Sequence, residues 1–244
     1  MTAGATLATS ARVLGQLRRD RRTLAMLFLV PPALLTLFKY IFDYQPQAFE
    51  RIGAPMIGLF PLILMFLVAS IAMLRERTSG TLERLMSLPL AKLDLLFGYG
   101  LAFALLAFLQ GVSTGLVGFG LLGVRSLGPA WATVLLAVAN ALLGMALGLL
   151  LSAFARTEFQ AIQSMPAFLF PQILLSGLLL PRGQMPRVLQ GLADALPVTY
   201  AYDALARVSD NHITPWLWYD TIIVLGSVIL ALLFGAMTLR RRTP

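Results

Sequence analysis

Arg75-Glu-Arg-Thr-Ser-Gly-Thr-Leu-Glu-Arg-Leu-Met-Ser-Leu-Pro-Leu-Ala-Lys-Leu-Asp94 is the only long charge-rich segment lying between two strongly apolar runs. Arg75, Arg77, Arg84 and Lys92 stand there among Glu76, Glu83 and Asp94. Around it the chain is 58% hydrophobic and only 12% charged, whereas a soluble domain carries about 25% charged residues. The mean hydropathy is +0.81. These values describe an integral membrane protein, and the run lengths make it all-α. The polar segment is therefore a hairpin that joins two spans and faces water.

Six apolar runs reach the roughly 20 residues that a helix needs to cross a bilayer. They are Leu24–Phe42, Ala54–Leu74, Leu93–Gly123, Pro129–Phe154, Phe159–Leu180 and Trp216–Leu239. Leu93–Gly123 is longer than a crossing requires and is expected to tilt or project. With six spans both termini share a side, and that side carries 13 of the 19 Lys and Arg residues. The positive-inside rule places both termini and the segment 75–92 in the cytoplasm. Residues 1–22 place Val13, Leu14 and Leu17 at helical spacing among arginines, as an amphipathic helix lying along the membrane surface would. A frayed basic tail is the plainer alternative. No short h-region with a cleavage site precedes the first run, so no signal peptide is expected. Residues 23–244 then form one transmembrane domain.

The outer segment 181–215 is not simply hydrophilic. Met185, Val188, Leu189, Leu192 and Leu196 recur at helical spacing, Pro197 interrupts, and a second short helix is expected over Tyr200–Val208. Two small helices dipping into the outer leaflet fit this better than a free loop. Trp216, Trp218 and Tyr219 mark the interface where the last span begins.

Composition also excludes much chemistry. There is no cysteine and one histidine, His212, so thiolate and His-cluster metal sites are absent. The basic residues cluster at the ends of apolar runs, where they serve as topology anchors and lipid contacts rather than a nucleic-acid surface. Gly118-Phe-Gly-Leu-Leu-Gly123 has dinucleotide-motif spacing but sits inside a span, with no strand before it. No P-loop sequence occurs. No ionisable residue lies deep in a span, which argues against a proton- or ion-coupled carrier. If a substrate moves uphill, the energy comes from another subunit.

The polar residues within spans are few. Gln110, Ser113 and Thr114 share one face of the third span, and Gln160, Gln163 and Ser164 share one face of the fifth; Asn140 and Gln172 stand alone. They either hydrogen-bond between helices or line a path for an apolar, polar-tipped substrate. Gly111-x-x-x-Gly115 and Gly144-x-x-x-Gly148 have the spacing that lets helices approach closely, within the bundle or at a dimer seam.

Glu76-Arg-Thr-Ser-Gly-Thr-Leu-Glu-Arg-Leu-Met-Ser-Leu-Pro-Leu resembles the E-x-x-x-G-T-L-E-x-L-x-x-x-P-[LV] signature of ABC type-2 transporter permeases. Leu175-Ser-Gly-Leu-Leu-Leu-Pro181, Met185-Pro186 and Leu196-Pro-Val-Thr-Tyr200 with Asp203 look like that family's outer re-entrant region. The drug- and antibiotic-resistance permeases, including the daunorubicin-resistance type, are the most similar subgroup. Gly98-Tyr99 departs from the Gly-Lys pair often found after the signature.

The resemblance implies a non-catalytic permease subunit in the cell (inner or plasma) membrane. It would work with two cytoplasmic ABC ATPases and a second permease, as a homo- or heterodimer. ATP and Mg would be bound by the ATPase, with no cofactor on this chain. It implies a coupling helix that docks on the ATPase, carried here by Arg75, Glu76, Arg77, Gly80, Thr81, Leu82, Glu83, Arg84, Leu85 and Met86. Pro181, Met185, Pro197 and Tyr200 would belong to an outer gate. The residues suit this reading: Gly80 can cap a helix with Glu83 at its third position. Leu82, Leu85 and Met86 form a stripe, and Pro89 stops the helix. An ATP-independent channel, carrier or structural membrane protein is the competing class. Glu83→Lys is expected to weaken association with the ATPase while membrane insertion is unchanged. Unchanged co-purification and stimulated ATP turnover in that variant would count against the docking role.

Overall fold

A computed structural model describes residues 3–81, 92–212 and 214–238, and among these the regular structure is entirely helical. Helix α1 spans Ala3–Arg19 and α2 spans Arg21–Ile41. The Asp20 carboxylate separates them by capping α2, accepting from the Thr23 amide at 3.1 Å and the Thr23 hydroxyl at 2.6 Å. Arg21 and Arg22 therefore begin α2.

Helix α3, Pro46–Thr78, has 33 residues. At 1.5 Å per residue it is about 50 Å long, well beyond the ~30 Å hydrocarbon core, so it extends past the Ala54–Leu74 run at both ends. Helix α4, Lys92–Gly115, continues as a π-helical turn over Leu116–Leu121. It ends at Gly123, whose φ of 63° is left-handed. Helices α5 (Ala130–Leu151) and α6 (Glu158–Leu175) follow, then a 3₁₀ turn at Arg182–Gln184. The short helices α7 (Arg187–Asp194) and α8 (Pro197–Ser209) precede α9 (Pro215–Thr238). The two small helices expected between residues 185 and 208 are thus present.

Among the described residues, five helices are long and apolar enough to cross a membrane: Arg21–Ile41, Ile52–Thr78, Phe97–Leu121, Ala130–Leu151 and Pro215–Met237. The remaining apolar run of the sequence holds α6, which has 18 residues. It carries three glutamines and two internal prolines, Pro166 and Pro171.

The core is built on α3 and α5. A Cβ on Gly144 would stand 2.0 Å from the Leu62 carbonyl oxygen, and one on Gly148 would stand 2.2 Å from that of Phe66. The two helices touch backbone to backbone over one turn, with Leu59, Leu62, Phe66, Leu143 and Leu147 buried around the contact. Gly111 and Gly115 face the side chains of Val138 and Val134, setting α4 on α5. Both small-residue repeats are consumed by packing inside this chain.

Helix α8 closes one end. Leu205 fills the space over Gly58 of α3, and the Asn140 side-chain amide of α5 donates to the Ala201 carbonyl at 3.2 Å. Gly148→Leu is expected to cost more than the ~1–3 kcal/mol of ordinary overpacking, because backbone rather than a rotatable side chain stands in the way. Gly100→Ala, with nothing within 4 Å, should hold or raise stability. Thermal unfolding followed by fluorescence-detected size exclusion in detergent compares the two.

Candidate functional site

The last turn of α3 carries Arg75, Glu76 and Arg77, and Glu76 is the buried one. Its carboxylate accepts from Arg12 of α1 at 2.9 Å, and Arg12 also donates to the Tyr99 hydroxyl of α4 at 2.9 Å. The guanidinium lies 5.8 Å from the Tyr99 ring centroid. One arginine therefore ties α1, α3 and α4 together. Burial pulls the Arg12 guanidinium toward neutrality, but Tyr99 and Glu76 outweigh it and leave its proton held more tightly than usual.

Beside this contact, a Cβ on Gly98 would stand 2.5 Å from Thr9 and 2.9 Å from the Thr6 carbonyl oxygen, so α1 rests directly on α4. The Gly98-Tyr99 pair that departs from the family pattern has a physical role here. The glycine admits α1, and the tyrosine accepts from Arg12, where a lysine would oppose it.

Arg75 is exposed and reaches the other way. Its Nε and Nη2 donate to the two Glu158 carboxylate oxygens at 2.7 and 3.3 Å, and its Nη1 lies 3.7 Å from Asp20. It joins the α1–α2 junction to the first residue of α6. Asp20 is held below the usual carboxylate range, chiefly by its hydrogen bonds from Thr23, with a smaller pull from Arg75. Between these contacts lies a cavity of about 250 Å³, lined in part by Gln16, Asp20, Glu76, Ser79 and Thr81. Among the described residues, the buried Arg77 Nε has no hydrogen-bond partner.

Gly80 adopts φ 71° and turns the chain out of α3, and Thr81 is helical. Leu82, Glu83, Arg84, Leu85 and Met86 lie outside the described residues.

The polar side chains of the spans separate into two groups. Gln110 is buried and donates to the Leu27 carbonyl of α2 at 3.1 Å, while Thr114 donates to the Gln110 carbonyl at 2.9 Å. Asn140 is bonded to α8, and Gln172 donates to the Phe168 carbonyl at 3.2 Å within its own helix. These four are packed inside the chain, and Ser113 is half-buried. Gln160 and Gln163 instead sit exposed on α6, with Ser164 half-buried beside them.

In the segment 181–215, Pro181 precedes the 3₁₀ turn, Met185 is buried at its end and Pro197 opens α8. The Tyr200 hydroxyl donates to the Asp194 carbonyl at 2.6 Å, and its ring meets Tyr219 edge-on at 6.1 Å. Sequence reasoning did not single out the charges that bind this segment together. Arg182 pairs with Asp194 at 3.1 Å and with Asp203, and Arg207 pairs with Asp220 at 2.8 Å. The one local signal is the Asp203–Arg207 spacing, which places both on a single helix face.

Residues 5–208 match the protein family described as ABC-2 type transporter. "ABC transporter G family member 20" of Dictyostelium discoideum is 26% identical over 178 residues, covering 72% of this chain and 24% of that protein. "Probable multidrug ABC transporter permease YbhR" of Escherichia coli is 28% identical over 153 residues, covering 63% of this chain and 42% of that protein. YbhS of the same organism, also described as a probable multidrug ABC transporter permease, is 28% identical over 140 residues, covering 57% and 37%. The chain spans less than half the length of these relatives.

Glu76→Ala would leave the Arg12 guanidinium without its anion. It is expected to release α1 at a cost of about 1.5–3 kcal/mol, the range for a hydrogen bond to a charged group. Arg75→Ala breaks only exposed pairs and should cost less than about 1 kcal/mol. Hydrogen exchange of the α1 amides measures both.

Proposed function

Because the chain belongs to the ABC-2 type transporter family, we propose that it is the permease of an ATP-driven exporter for a hydrophobic drug, antibiotic or lipid-like substrate. In this reading α6 is the sixth crossing and the fifth in chain order. Both termini and the segment 75–92 face the cytoplasm, and α7 and α8 form an outer re-entrant pair that gates the exit. Two permeases, identical or related, work with two ATPases that bind ATP and Mg. Closure of the ATPase pair reaches the spans through Arg75–Asp94 and α1, and substrate passes at the permease interface beside α3 and α6.

One observation carries the reading. Helix α6 leaves Gln160 and Gln163 exposed next to Phe159 and Ile162, and its first residue is clamped by Arg75 at the base of α3. Gln160 accepts from the Arg156 amide at 2.8 Å, and a Gln163 amide facing hydrocarbon without a partner would be costly. This surface therefore suits a second permease or a hydrated path better than lipid tails. Its apolar neighbours suit a largely apolar substrate, in keeping with relatives whose names include "multidrug". The same Arg75 contact links that surface mechanically to the coupling segment.

The chain reconstituted in proteoliposomes with its ATPase should show ATP hydrolysis stimulated by the substrates it moves, and Gln163→Leu should change which ligands stimulate. Transport at full rate with no ATPase present would overturn the exporter reading and leave a channel or carrier.

A further inference from the structure

The last turn of α8 sits between the starts of two spans, α5 and α9. The Leu127 amide, just ahead of α5, donates to the Ser209 carbonyl at 2.8 Å, and Arg207 pairs with Asp220 early in α9. Leu205 and Val208 pack there with Leu136 of α5 and Leu217 of α9. This wedge leaves a groove of about 380 Å³ between the two spans, with Val208 in its wall. On α5 the groove follows Ala132, Leu135, Ala139 and Leu142, and on α9 it follows Trp218, Thr221 and Leu225. Spacings of three and four put each set on one helix face. The two alanines keep the space open, since a larger side chain at either would enter it.

Trp131 and Trp218 flank the groove at the end where both helices begin, 68% and 66% exposed, so it opens sideways toward the bilayer. Tryptophans of this kind mark the headgroup level. Leu142 lies 11 residues beyond Trp131 on α5, about 17 Å along the axis. Half of a ~30 Å hydrocarbon core is about 15 Å, so the groove runs from the interface to near the midplane. Its length is that of one leaflet. Besides the two indoles, Thr221 is the only polar side chain among the described lining residues, and its hydroxyl already donates to the Leu217 carbonyl at 2.8 Å. Water would find no set of partners there, and an empty groove would forfeit dispersion along its whole wall.

We propose that this groove is a lipid site, holding one acyl chain of a phospholipid from the leaflet at the tryptophan end and so bracing α8 against α5 and α9. The indole N–H groups at the rim suit the ester carbonyls of a glycerolipid, which lie at that level. Below the rim a polar ligand would find nothing to bond. Burial of apolar surface gives no advantage over bulk lipid, so retention rests on fit, and a chain long enough to reach Leu142 is held better than a short one. The proposal needs only that α5 and α9 span the membrane. It can fail while the exporter reading stands.

The chain has three tryptophans, so Trp216→Phe confines the emission to the two that flank the groove. The full chain carrying this change, in detergent micelles, is titrated with phosphatidylcholine brominated midway along an acyl chain. Quenching should saturate at low lipid mole fraction, as filling of a single site requires, and a short-chain brominated analogue should bind more weakly. Ala139→Phe, which puts a ring into the groove, should lose the saturable component. Quenching that only rises in proportion to lipid, or that saturates equally in Ala139→Phe, would overturn the proposal. If Ala139→Phe fails to fold, Ala132→Leu blocks the same groove nearer its rim and is read in the same way. If Ala139→Phe instead abolishes a dimer seen by light scattering and leaves the lipid response unchanged, a second copy fills the groove and the proposal falls.

Discussion

Gly144 and Gly148 bring the backbone of α5 against the carbonyls of Leu62 and Phe66 on α3, at a distance no side chain could share. Lipid tails are as apolar as leucine, so helices in a membrane gain little from hiding apolar surface from one another. Close backbone approach and dispersion have to supply the difference. This contact makes α3 and α5 a rigid pair, and the remaining elements take their positions from it. Helix α4 seats on α5 through Gly111 and Gly115, and α8 seats on α3 through Gly58.

A rigid α3 also connects the two polar ends of the molecule. At one end Glu76 and Arg75 gather α1, α4 and α6. Near the other end Gly58 receives α8, the helix that carries Asp203 and Arg207. Between them the polar groups are mostly internal: Gln110 bonds to α2 and Asn140 to α8. Charge is thus concentrated where water or headgroups can screen it, and the middle of the bundle is packed on uncharged hydrogen bonds worth on average ~0.6 kcal/mol each. In the proposed exporter this is a workable division, with ion pairs that can exchange partners at the ends and a stiff rod between them.

Much of this was legible beforehand. The apolar runs, the break at Pro197 and the short amphipathic pair around it all reappear as helices, because helical periodicity is a local property of the chain. Boundaries were less legible. The run Ala54–Leu74 lies inside a helix of 33 residues, since polar residues at both ends continue the helix after hydropathy falls. The α1–α2 junction depended on Asp20, whose capping bond to Thr23 no hydropathy window registers. Gln110, Asn140 and Gln172 looked as able to line a path as to pack, and only their partners distinguished the two roles.

The sequence by itself determined that this is a helical membrane protein of the ABC-2 type, with a charged segment after its second long apolar run and a pair of small helices before its last. Composition, periodicity and a contiguous signature are each written within a few turns of chain. Only the tertiary structure decided which charges meet. Arg12 finds Glu76 and Tyr99 across 64 and 87 residues, and Arg182 finds Asp203 across 21. Such pairs leave no local pattern, because what makes them form is the burial that folding itself creates.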